Sequence, residues 1–312
     1  MIAYIGRRLL QAILVVAIAV FLVFSMMFLS GDPVLLLMPP DASREEIAAF
    51  SKQMGFDQPF LVQFANFAGK LVTGDFGMSW RFQEPALNVV LEKLPATIEL
   101  AIAALVLSLL IAVPVGVISA VRKDSKVDSF SMVFALLGQS IPGFWLGLML
   151  ILVFAVDLGW LPTSGRQGWQ YLILPALSLG LALAGRNARL VRSCMLEVLN
   201  EDYIRTARAK GLSEWRVINK HALKNAMLPI VTIVGLELGS LLGGAVVTES
   251  VFSWPGIGLL AVQAINGRDY PVVQAVIIIT ALGFVLINLA VDLLYPKLDP
   301  RITLGRKSSG AS

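Results

Sequence analysis

Apolar positions gather in six long blocks: Leu9 to Leu29, then 96–121, 130–157, 171–191, 228–252 and 272–295. A helix rises 1.5 Å per residue, so about 20 apolar residues span the ~30 Å hydrocarbon layer of a bilayer. The pattern predicts an all-α membrane protein with six transmembrane helices. Pro114, Pro142 and Pro175 lie inside the blocks. Membrane helices tolerate them, because neighbouring helices re-satisfy the freed backbone groups. Arg7 and Arg8 precede the first block in the manner of a signal peptide. At about 21 residues the block exceeds a signal's apolar core, and no small-x-small cleavage site follows, so a retained helix is expected.

Between the first two blocks, 31–95 is polar enough to fold outside the membrane. Ser43 and Glu46 fit a capping box ahead of Ile47, Phe50 and Met54 at helical spacing. Phe60, Phe64, Phe67 and Leu71 form a second amphipathic stripe. Two short helices lying in the interface are expected, on a surface open to a partner outside.

Composition agrees with the blocks. The 312 residues are 57% hydrophobic and 15% charged, against about 45–50% and about 25% in soluble domains. With the N-terminus inside, 18 of the 25 Lys and Arg fall in inner segments and seven in outer ones. Five of those seven lie in the 31–95 loop, which is too long to count for orientation. Both termini are therefore expected in the cytoplasm. The net charge of +4 is this bias, and it requires no nucleic-acid partner. The single cysteine, Cys194, forms no internal disulfide and reads as a small apolar filler.

Polar residues within the blocks are few, and acids in lipid are expensive. Glu237 and Glu249 lie in or near the fifth block, Asn288 and Asp292 near the inner end of the sixth. They belong either to a substrate pathway or to structural pairs. Gly235, Gly239 and Gly243, at i, i+4 and i+8, invite close approach by another helix.

Several chemistries are missing. The sequence has no G-x-x-x-x-G-K-[ST] phosphate loop, no H-E-x-x-H zinc motif and no G-x-S-x-G elbow. His221, the one histidine, sits in the most basic stretch and reads as a helix-surface residue. Neither an enzyme nor a metal centre is expected.

The charged stretch from Asp202 to Pro229 is the exception to the oily pattern. Tyr203 to Lys210 is helix-prone and Gly211 suits a left-handed stop. Ser213 can cap a second helix with Glu214 in its first turn. On that helix Arg216, Lys220 and Lys224 line one stripe and Trp215, Ile218 and Ala222 another, which would rest the helix on the inner membrane surface. A connection this long is unusual unless functional. A short charged helix projecting into the cytosol suits docking to a partner; an ordinary solvated loop is the alternative.

The stretch resembles the cytoplasmic "EAA" loop of ABC importer permeases. Arg205-Thr206-Ala207 stands at the E-A-A position, Gly211 at the glycine, and Leu228-Pro229 at the closing pair, which comes later than usual. The run "YIRTARAKGL" resembles the dipeptide/oligopeptide subfamily. So do "SGDPV" at 30–34, "GDFGMS" at 74–79, "VFSWPGIG" at 251–258, "RDYPVVQA" at 268–275 and "NLAVDLLYPKLDPRI" at 288–302.

The resemblance implies a type I importer permease fold. Residues 1–95 would form the N-terminal helix and external loop, 96–295 a five-helix core with the coupling loop 192–228, and 296–312 a cytoplasmic tail. It implies a homologous second permease, two cytoplasmic ATPases carrying ATP and Mg, and a periplasmic binding protein, with no cofactor on this chain. It assigns Glu201, Asp202, Tyr203, Arg205, Thr206, Ala207, Arg208, Lys210 and Gly211 to ATPase coupling. Candidates for the translocation path are Ser140, Glu237, Ser240, Gly244, Glu249 and Asn288. The implied cargo is a di- or oligopeptide; glutathione, opines, nickel chelates and sugars are carried by the same machinery. An ion-coupled secondary transporter is the rival, kept open by Glu237 and opposed by the docking loop.

Overall fold

Helices account for nearly all regular structure in the computed structural model, which describes residues 2–29, 42–55 and 57–298. In chain order they are α1 (Ile2–Leu29), α2 (Arg44–Met54), α3 (Phe60–Val72), α4 (Ala86–Val121), α5 (Lys126–Ser140), α6 (Gly143–Leu150), α7 (Gln170–Leu199), α8 (Asp202–Ala209), α9 (Leu223–Gly244), α10 (Val246–Val251), α11 (Ile257–Asn266) and α12 (Tyr270–Leu298). No strand occurs among the described residues, only an isolated bridge between Met78 and Pro85. The 30–34 motif, the chain beyond 298 and the surroundings of Asp292 and Gly244 lie outside the described residues.

The contacts divide the chain into two units. One comprises Met1–Lys93 with Leu260–Leu282; the other comprises Leu94–Leu259 with Gly283–Ser312.

In the first unit the expected capping box forms. The Ser43 hydroxyl accepts from the Glu46 N–H, and the Glu46 carboxylate accepts from the Ser43 N–H and hydroxyl. The Ser43 backbone bond, then its side chain, hold the Glu46 carboxyl below its ordinary value. The α3 aromatic stripe turns onto α1: Phe24 meets Phe60, Phe64 and Phe67, with centroids 5.3–5.6 Å apart. Such pairs add about 0.5–1.5 kcal/mol each beyond area burial. The stripe is thus covered by protein as well as suited to an interface.

In the second unit α7 is the central element. Gly180 faces the Ala104 carbonyl of α4, and Gly185 faces the Ala135 carbonyl of α5, where any Cβ would collide with backbone. Gly235 and Gly239 of α9 seat Val291 and Phe284 of α12, the close approach their spacing predicts.

Two expectations change. The block 130–157 is not one straight helix: Lys126–Ser140 and Gly143–Asp157 meet at 96°. Pro142 has no N–H to continue the ladder, and it holds Ile141 extended (φ −77°, ψ 123°). Four helices are long and apolar enough to span a membrane, or five if the bent pair counts as one, among the described residues. Finally, the helix after Gly211 does not lie separately on the membrane surface. A turn at Glu214–Arg216 and wider turns over Val217–Ala222 lead directly into α9, so it is continuous with the long apolar helix that follows. Trp215 is exposed and only Ile218 and Ala222 pack inward. The wider turns, with Leu223 N–H bonded to the Ile218 carbonyl five residues back, shift the stripe out of phase.

Candidate functional site

The charged loop is built from α8. Its Ile204 and Ala207 are buried against Val191, Cys194 and Met195 of α7, with Val217, Ala222 and Ala226 in the same cluster. Tyr203, Arg205, Thr206, Arg208 and Lys210 remain exposed. Ala207 therefore faces its own chain, whereas its polar neighbours on α8 face outward. Its burial follows from the helical period, which puts it three residues after Ile204.

The end of α8 is a Schellman closure. Gly211 has φ 77° and donates to the Arg208 carbonyl (2.9 Å), while Leu212 N–H reaches the Ala207 carbonyl (3.4 Å). Ser213 occupies the cap position, with its carbonyl accepting from Arg216 and Val217, but its hydroxyl makes no capping bond. Glu214 instead accepts two bonds from Arg208, at 2.8 and 3.3 Å. Asp202 pairs with Arg205 at 3.2 Å, and the Tyr203 hydroxyl accepts from Asn225 at 2.8 Å. Both ends of α8 are thereby fixed, and its basic residues stand outward.

Above this loop, Asp128 is almost fully buried at the start of α5. Arg192 of α7 grips it with two bonds of 2.7 Å, Nε to Oδ1 and Nη2 to Oδ2. Ser119 near the end of α4 donates to Oδ1, Asp124 N–H donates to Oδ2 (3.0 Å), and the Ser125 hydroxyl caps the Asp128 N–H. One carboxylate thus joins three helices. Removing one partner of a buried pair of this kind costs about 3–5 kcal/mol.

The proposed path residues separate. Glu237 is buried; its Oε2 accepts from Asn187 at 2.8 Å, Asn187 also donates to Ser108, and Arg186 lies 3.9 Å from Oε1. Glu237 Oε1, Asn187 Oδ1 and Asn288 Oδ1 are buried acceptors that find no hydrogen bond among the described residues. Asn288 lies against Gly239. Ser140 and Ser240 are exposed and donate to carbonyls of their own helices.

Glu249 is wholly buried and caps a helix. Thr97 donates to its Oε1 (2.6 Å) and accepts from Ile257 N–H (2.8 Å), while Leu259 N–H donates to Oε2 (2.9 Å). These are the orphan donors of the first turn of α11, at the positive end of its dipole. Gly256 and Gly258 leave room for the carboxylate. The "WPGIG" run is thereby explained.

Sequence reading missed Asp269. It is buried and accepts from Ser79 Oγ and from the N–H groups of Trp80 (3.3 Å) and Arg81 (3.2 Å). Its run, "RDYPVVQA", meets "GDFGMS", about which spacing along the chain says nothing.

Residues 112–304 match the family described as "Binding-protein-dependent transport system inner membrane component", and residues 1–101 match its N-terminal region. The chain belongs to this family. The permease is 45% identical over 305 residues to the "Glutathione transport system permease protein GsiC" of Salmonella typhimurium (strain LT2), covering 97% of this chain and 99% of that protein. It is equally similar, at 45% over 305 residues, to the protein of that name from Escherichia coli (strain K12). In fold it resembles a chain of the MetNI methionine ABC transporter (TM-score 0.59, 21% identity, 67% of this chain and 96% of that one). The permease is accordingly a multi-pass inner membrane subunit of an ABC importer, a transport component rather than an enzyme. Membership implies a partner permease and ATPase subunits.

Proposed function

We propose that this permease forms, with a homologous second permease, the path by which glutathione or a short peptide enters the cell. The near full-length identity to glutathione permeases carries the reading. Glutathione is itself a tripeptide, so the two cargoes form one chemical class. In this reading the fold is the type I arrangement with six spans and both termini in the cytoplasm. Residues 1–95 form the N-terminal helix and external loop, 96–295 the five-helix core with coupling loop 192–228, and 296–312 a tail. Two cytoplasmic ATPases bind ATP and Mg, and a periplasmic binding protein delivers cargo.

Coupling runs through α8. The exposed side chains of Asp202, Tyr203, Arg205, Thr206 and Arg208, with Glu201 and Lys210 at the ends, meet an ATPase. Salt-sensitive pairs set the approach. ATP-driven closure of the ATPases then shifts transport states through a docked helix. Glu237, Asn288, Ser140, Ser240 and Gly244 remain candidates for a wide, weakly binding path. A thermal-shift screen of the cognate binding protein tests the cargo. Glutathione and di- or tripeptides are expected to stabilise it. Stabilisation by opines, nickel chelates or sugars alone would overturn the cargo and leave the permease assignment intact.

A further inference from the structure

We infer that Asp128 and Arg192 are positioning residues that lock the coupling loop to α5, so that both move as one body during the transport cycle. The inference rests on the proposed role of α8. Arg192 lies seven residues before the end of α7, about 10 Å along a helix. Only Asn200 and Glu201 separate that end from α8. Ile204 and Ala207 fasten α8 to the same stretch of α7. A push on α8 is therefore a push on Arg192.

Arg192 passes it to one carboxylate. Its two bonds to Asp128 are short and parallel, a geometry that resists rotation as well as separation. Asp128 is in turn bonded to Ser119, Asp124 N–H and Ser125, so the end of α4 and the first turn of α5 follow it. α5 leads to Ser140 and the 96° break at Pro142. An apolar contact could slide here; a buried bidentate ion pair cannot do so without leaving a charge unpaired. Arg189, one turn earlier on α7, adds a second bond to Gln139 at the far end of α5 (3.2 Å).

The test uses the assembled importer, with both permeases, the ATPases and the binding protein in lipid nanodiscs. Spin labels replace the exposed residues Ala209 on α8 and Leu137 on α5 in a Cys194→Ala background. Their distance is read by pulsed electron paramagnetic resonance without nucleotide and with ATP trapped. The distance is expected to be the same in both states. In Asp128→Asn it is expected to become nucleotide-dependent, with ATP hydrolysis retained and cargo carried per ATP falling about tenfold. Should Asp128→Asn not assemble, Arg192→Lys, which keeps charge but loses the fork, is read in the same way. A distance that already changes in the unaltered pair overturns the lock. So does one that stays fixed in the variant, or a variant whose hydrolysis and transport fall together. Absence of any cross-link from Tyr203→Cys to an ATPase would sink the coupling role of α8 instead, a separable failure.

Discussion

Glu249 places a carboxylate inside a helix bundle, where an unsatisfied charge would be ruinous, and uses all of it to close one helix end. Thr97 and the Leu259 N–H are its donors. Glu249→Ala strands those donors in a buried site. It is expected to destabilise the permease by about 3 kcal/mol or more, since each abandoned bond to a charged group is worth about 1.5–3 kcal/mol. Glu249→Gln keeps an acceptor and should lose less. Gly256→Ala drives a methyl into the carboxylate and should cost about 1–3 kcal/mol by overpacking. Thermal unfolding of the purified permease in nanodiscs checks all three. Equal midpoints for Glu249→Ala and the parent would remove the capping role. The acid was visible in the sequence; its use was not. Lipid-embedded carboxylates suggest pathways, and only the meeting of Thr97 with residues 257–259 reveals a cap.

The proposed coupling element shows the opposite balance. A charged octet ending in glycine announces a short helix and a left-handed stop, and α8 with Gly211 at φ 77° has that form. Gly211→Val places a branched side chain in a conformation that costs about 1–2 kcal/mol. It should leave the permease inserted and ATP hydrolysis running, while uptake into proteoliposomes is lost; normal uptake would refute the role of the turn. A cross-linking scan over 200–212 should give adducts to an ATPase at 202, 203, 205, 206 and 208. Positions 204 and 207 should stay silent, being buried against α7. No adduct at any position would dismiss the docking surface. The Arg208–Glu214 pair is exposed, and such pairs contribute about 0–1 kcal/mol. A large effect of Arg208→Ala would therefore report a partner, not stability. What escaped the sequence at this scale was continuity: nothing in the spacing of Arg216, Lys220 and Lys224 tells a surface helix from the root of a span.

Across the whole molecule, the apolar blocks announced the helices, because burial in lipid is written residue by residue. Angles and long-range partners were not announced. Pro142 read as a tolerated proline inside one block, and its 96° bend was not legible. Asp128 and Asp269 were not singled out, because the partners that close on them lie 64 and 188–190 positions away. Asn187 was never singled out, although it is the donor that holds Glu237. One further consequence follows from α7. At Gly180 and Gly185 it meets its neighbours backbone to backbone. Contacts of that kind draw on van der Waals fit, not on expulsion of water. Exchanging lipid for detergent is therefore expected to leave them unchanged. When the permease is extracted from the membrane, α7 can serve as its datum: a label on this helix stays comparable between vesicle, nanodisc and micelle, and displacements elsewhere can be measured from it.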